Sequence, residues 1–120
     1  MAIDVVEVAF KAGRIGIYAN RVGLTIKQED YVIVEADKGM DLGKVIQRGH
    51  LFYEDIVEDE LKNVARIATS DDLKKYEENR QLEEKAVRIC KDKIVKHQLN
   101  MNLVDAEYQW DHNKLTFYFT

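Results

Sequence analysis

The residues of this chain with the most reactive side chains are Cys90 and the three histidines, His50, His97 and His112. A thiol becomes a nucleophile when a base or a positive neighbour lowers its pKa. His97 is the histidine nearest Cys90 in sequence, two helical turns away, and Cys90 falls on an apolar helical stripe, so it reads as a buried, inert thiol. Zinc would ask for four ligands with closely spaced Cys or His pairs, and no CxxC or HxxxH pair is present. The acids Glu54, Asp55, Glu58, Asp59 and Glu60 crowd together without the turn glycine of a calcium loop, which predicts an exposed connector. Gly13-Arg14-Ile15-Gly16 is too short for a phosphate loop and opens a strand instead of a helix. The pair Asp71/Asp72 is explained by a helix start. No set of residues reads as catalytic and none as a metal site.

Binding residues stand out more clearly. Lys11, Arg14, Tyr18 and Arg21 interleave base with aromatic, the pattern by which small β modules hold nucleic acid through stacking and charge. Residues 1–30 nevertheless balance four bases with four acids, as a solvated strand face would. A second basic surface is Lys85, Arg88, Lys91, Lys93 and Lys96. The candidate interaction residues are therefore Arg14, Tyr18, Arg21, Arg88 and Lys91.

The elements that must position them can be read in order. Ile3 to Phe10 alternates as a strand, Lys11-Ala12-Gly13 turns, and Arg14 to Ala19 forms a second strand in which Gly16 predicts a bulge or a close approach. Asn20 to Asp30 is a polar connection. Tyr31 to Val34, the turn Asp37-Lys38-Gly39 and a run through Leu42, Val45 and Ile46 to about Gln47 make a hairpin. Leu51 to Glu60 is the acidic connector, and Asn63 to Ala68 is a fifth extended run that would close a barrel.

Thr69-Ser70-Asp71-Asp72 is a helix start, and neither glycine nor proline interrupts the chain from Asp71 to about Gln98. Leu82, Ala86, Ile89, Cys90, Ile94 and His97 predict its buried face, with Leu73 and Tyr76 on a stripe that does not line up. Val104, Ala106, Tyr108 and Trp110 then alternate, Asp111 to Lys114 turns, and Leu115, Phe117 and Phe119 alternate again. This is a second hairpin whose apolar face is expected to cover the helix. The expected class is α+β: a small curved sheet or barrel of about five strands over residues 1–69, then a long helix plus hairpin over 70–120. An uncharged, aromatic terminal strand is an aggregation hazard unless something covers it, so the second module reads as incomplete at its C-terminal end, a fragment of something longer.

With 120 residues, a net charge of −4 and 33% charged residues, the composition is that of a globular chain without a global positive field. No run approaches the roughly 20 apolar residues that span a bilayer. The opening Met-Ala-Ile-Asp-Val-Val-Glu-Val lacks the features of a signal peptide, and a single cysteine suits a reducing compartment, so a cytoplasmic location is expected.

Several runs in order resemble one family: Phe10-Lys11 with Gly13 and Tyr18; Asp30-Tyr-Val-Ile-Val-Glu; Lys38-Gly-Met-Asp-Leu-Gly-Lys-Val; Val64-Ala-Arg-Ile-Ala-Thr; Cys90-Lys91; Met101 to Tyr108; and Asp111 to Thr120. The set is similar to the PSP-one (polymerase-suppressor) C-terminal domain family in its bacterial RicT/YaaT branch. That resemblance implies a non-enzymatic regulatory subunit, held with YlbF- and YmcA-like proteins in a cytoplasmic complex that modulates messenger RNA processing by an endoribonuclease. It links the chain to sporulation, competence and biofilm development. Members of the branch carry an iron–sulfur cluster on cysteines that would lie after Thr120, and continue there with a further helix and strand; no cofactor is carried over to this chain. The alternative from the residues alone is a direct RNA- or DNA-binding module using the barrel and the basic half of the helix. A weak RNA contact and self-association through the terminal strand are further partner expectations.

Overall fold

A computed structural model describes residues 2–52 and 61–120. The chain divides into two compact units, Met1–Thr69 and Ser70–Thr120. In the first, β1 (Ala2–Ala9), β2 (Ile15–Ala19), β3 (Tyr31–Glu35), β4 (Met40–Phe52) and β5 (Val64–Ile67) form one antiparallel sheet in the order β2-β1-β4-β3-β5. The sheet is curved but is not a closed barrel. The fifth run does not close it: β5 pairs along β3, and the two edges touch at one parallel bridge, Ala19 with Asn63.

β-Branched residues supply both faces. Val6, Val8, Ile26, Val32, Val34, Val45 and Val64 form the main core, and Ile3, Val5 and Ala19 a smaller one. β3 is buried on both sides because Val32, Ile33 and Val34 are all at 1% exposure or less, the continuous apolar pattern of an interior strand. β4 runs past the expected end near Gln47 to Phe52, because its second half pairs with β1 after its first half pairs with β3. The expected acidic connector overlaps β4 at Leu51 and Phe52, and the rest of it lies outside the described residues.

Gly16 causes no bulge, since the β1–β2 register is regular; the irregularity lies opposite, between Glu7 and Val8 in the β1–β4 pairing. There Gln28 Nε2 donates to the Ile46 carbonyl at 3.0 Å. The connection from Asn20 to Asp30 is also more than polar. It buries Ile26 and is pinned by Asn20, whose Nδ2 donates to Leu24 O (2.7 Å) and Asp4 Oδ2 (3.1 Å) while its Oδ1 accepts from Leu24 N–H.

The second unit is helix α1 (Ser70–Lys96) and the hairpin β6 (Leu103–Tyr108)–β7 (Leu115–Phe119). No glycine follows Gly49, so two larger residues take left-handed conformations, Gln98 (φ 54°) after the helix and His112 (φ 68°) in the hairpin turn. The Leu99 N–H reaches back to Ile94 O at 3.0 Å, the closing bond of a Schellman-type helix end. No helix among the described residues is long and apolar enough to cross a membrane.

The expected helix face is corrected. Leu82 and Ile89 are 41% and 46% exposed and His97 is exposed, whereas the fully buried positions are Asp72, Asn79 and Glu83. These continue through the half-buried Cys90 and Ile94 at helical spacing. The stripe begun by Tyr76, set aside as misaligned, is the one that faces inward. The hairpin is corrected too. Val104 is extruded at a bulge, Leu103 and Ala106 supply the buried apolar side chains of β6, and Leu115, Phe117 and Phe119 stay 36%, 36% and 44% exposed.

Candidate interaction surfaces

Two of the five candidate residues meet. Arg14 follows the turn Lys11–Gly13, which places its guanidinium 4.1 Å above the Phe10 ring and 3.1 Å from Asp41 Oδ2. Tyr18 meets the same Phe10 edge-on, with centroids 6.1 Å apart. Two glycines make room. A Cβ on Gly43 would lie 2.4 Å from Val8 Cγ1 and 2.9 Å from both Ala9 O and Phe10 Cε1, and one on Gly16 would strike the Tyr18 ring at 2.8 Å. Burial pushes the Tyr18 phenol above its usual pKa; the nearby Arg14 opposes this, and Asp41 and Asp37 add to it. The cluster is thus internally matched. Arg14 already has an anion and a ring to hold, and Asp41, also accepting the Leu42 N–H at 2.9 Å, is buried.

Arg21 is not part of that cluster. It donates to Leu61 O at 3.1 Å and to Asn63 Oδ1, and so ties the loop after β2 to the segment entering β5. Arg88 and Lys91 belong to the second unit, three residues apart on α1 and both exposed. Side chains three apart are neighbours on a helix surface, so these two form a small basic patch.

Sequence reasoning missed the polar lock between α1 and its hairpin. Glu83, fully buried, accepts Arg80 Nη1 at 2.9 Å with Oε1 and the Tyr108 N–H at 2.7 Å with Oε2. Arg80 also bonds the Tyr76 hydroxyl and lies 4.3 Å over its ring. Burial works to lower the Arg80 pKa, but its bonds to Tyr76 and Glu83 outweigh that and leave it raised. One turn earlier, Asn79 Nδ2 donates to Trp110 O at 3.1 Å, so its Oδ1 must accept from His112 Nε2–H. The His112 ring stacks on Tyr108 at 4.8 Å, and Trp110 Nε1 donates to Asp72 O at 3.2 Å. The spacing shows that Asp72, Tyr76, Asn79 and Glu83, four, three and four apart and in phase with Cys90, share one helix face; that this face turns inward is set by partners distant in the chain.

Cys90 is half-buried on the helix, and His97 lies seven residues on, about 10 Å along the axis. Among the described residues no three His, Cys, Asp or Glu side chains cluster as a metal site would need. A single cysteine does not fit an iron–sulfur cluster, which is held by several thiolates.

Comparison with known proteins extends the picture. Over 118 residues the chain is 40% identical to the stage 0 sporulation protein YaaT of Bacillus subtilis, covering 98% of this chain and 42% of YaaT. It is 31% identical over 141 aligned positions to the uncharacterized protein PB7E8.02 of Schizosaccharomyces pombe, covering 93% of this chain and 19% of that protein. The chain thus spans less than half the length of either relative. No solved structure matches it. Residues 62–120, the segment that enters β5 together with α1 and the terminal hairpin, match the PSP1 C-terminal conserved region, and the likeness to YaaT extends over nearly the whole chain.

Proposed function

We propose that this chain is a non-enzymatic regulatory protein that acts by holding other proteins, as a cytoplasmic subunit of a complex that modulates messenger RNA processing by an endoribonuclease. The observation that carries the reading is the 40% identity, across 98% of the chain, to a protein named for sporulation. The exposed Leu82, Ile89, Leu115, Phe117 and Phe119 support it, since apolar side chains left at a surface favour protein contacts. By the same resemblance the partners are YlbF- and YmcA-like proteins and the nuclease, and the developmental outputs are sporulation, competence and biofilm formation.

The test is reconstitution. The purified chain is mixed with YlbF- and YmcA-like proteins and followed by size-exclusion chromatography with light scattering. Co-elution as one species is expected, and separate elution in every combination overturns the reading.

Exposed Arg88 and Lys91 favour a second reading, direct RNA binding. Phosphate contacts release counterions, so affinity would fall steeply with salt. An RNA titration at several salt concentrations, repeated with Arg88→Glu and Lys91→Glu together, separates the two readings. Salt-sensitive binding lost in the double variant would favour RNA; no binding at low salt removes it.

A further inference from the structure

The curved sheet stops short of closing, and residues 61–63 span the gap between its edges. On the β2 side, Ala19 N–H donates to Lys62 O at 2.9 Å, and Arg21 Nη1 donates to Leu61 O at 3.1 Å and to Asn63 Oδ1. Leu61 also packs on the cluster of Ile3, Val5 and Ala19. On the β3 side, Glu35 N–H donates to Asn63 O at 3.0 Å and Asn63 N–H donates to Glu35 Oε1 at 2.7 Å. Lys62 Nζ lies 2.9 Å from Asp37 Oδ1, just past the end of β3. The segment therefore holds both edges at once.

The two attachments are unequal. Towards β3 the segment runs straight into β5, which pairs from Val64 opposite Val34 to Ile67 opposite Val32, and Val64 is buried in the main core. Towards β2 the backbone contact is an isolated bridge, Ala19 with Asn63, and no ladder among the described residues extends it. A part of the fold held by few backbone bonds near solvent opens at lower free energy than the ladders behind it. Arg21 reinforces this weaker side, and its charged donor makes stronger hydrogen bonds than a neutral one would. We infer that residues 61–63 are a strap fastened to β2 by Arg21, which releases from β2 and stays with β3 and β5 while the rest of the sheet remains folded. Release lifts Leu61 from Ile3, Val5 and Ala19 and frees the Ala19 N–H for another acceptor. The match to the PSP1 conserved region begins at residue 62, inside the strap, so release loosens the join between that region and the strands before it. The strap does not depend on the regulatory reading, since it is fastened by residues of this chain alone.

Native-state hydrogen exchange of the purified chain, followed amide by amide by NMR, tests it. Three amides report on different attachments: Ala19 N–H faces the strap, Asn20 N–H donates to Asp4 O on β1 at 2.8 Å, and Glu35 N–H reads the β3 side. Relative to its intrinsic rate, Ala19 is expected to exchange about tenfold faster than Asn20 and Glu35. Its rate should change little at low urea, because a local opening exposes little surface. Arg21→Ala should speed Ala19 about tenfold more, the effect of losing a hydrogen bond from a charged donor, and leave Asn20 and Glu35 unchanged. Equal protection at Ala19 and Asn20 overturns the inference. So does Glu35 exchanging in step with Ala19, which would mean that the strap lifts from β3 as well, or an Ala19 rate that Arg21→Ala does not alter. If Arg21→Ala fails to fold, the rates and urea dependence of the three amides in the unaltered chain decide alone.

Discussion

The two units hold themselves together by different means. The sheet of the first unit buries valine and isoleucine on both faces, and among its described residues Asn20 and Asp41 are the buried polar ones. The unit of residues 70–120 does the reverse. Its helix buries Asp72, Asn79 and Glu83, its hairpin buries Glu107, and apart from Leu103 its larger apolar side chains, Leu82, Ile89, Leu115, Phe117 and Phe119 among them, stay partly in water. The first arrangement is non-directional and tolerates small shifts. The second is directional: the buried Asn79, Glu83 and Glu107 side chains each have a named partner, and the loss of one leaves another group desolvated without compensation.

Substitutions can break or sharpen this contrast. The largest effect is expected at Ile26, whose truncation to Ala opens a cavity in the sheet core and should cost about 4 kcal/mol by urea denaturation; a cost typical of a loop residue would show that the connection bears no core load. Next is Glu83→Ala, expected to cost about 3 kcal/mol by stranding Arg80 and the Tyr108 N–H. Its apolar neighbour Leu82→Ala should cost less than about 1 kcal/mol because that side chain is already half in water. If the order of these two is reversed, the second unit is held by apolar packing after all.

Gly43→Ala should cost about 2 kcal/mol from overpacking against Val8 and the Ala9 carbonyl. Gly49→Ala is the control, because a Cβ there meets nothing within 4 Å. The smallest effect is electrostatic. Burial raises the Tyr18 pKa above 10.0, so the stability linked to its neutral phenol is fully present below pH 10.0 and is lost as pH rises through the raised value. Tyr18→Phe should therefore flatten the alkaline decline in stability, and an unchanged profile would place that loss elsewhere.

Much of this architecture was legible in advance because it rests on local chemistry. Alternating β-branched residues and the glycine at 39, with φ 83°, specified the strands and the central hairpin. The uninterrupted run from Asp71 specified the helix, and Asp111 to Lys114 the last turn. The candidate site was legible only in part. Arg14 and Tyr18 do converge, but on Phe10 and Asp41, residues 4 and 27 positions from Arg14, and Arg21 is drawn off to the strand entry at Asn63.

The sequence by itself determined which segments extend and which coil, since those preferences lie in each residue and its near neighbours. The tertiary structure alone decided that the sheet stays open, that α1 turns Glu83 and Asn79 inward instead of Leu82 and Ile89, and that carboxylates seal the outer N–H groups of β6. The reason is physical. A helix with polar residues on several sides has no unique apolar stripe, so the partners offered by the Tyr108 N–H, the Trp110 carbonyl and His112 select its rotation. Those partners lie 25 to 33 residues away in the chain, beyond the reach of any local pattern.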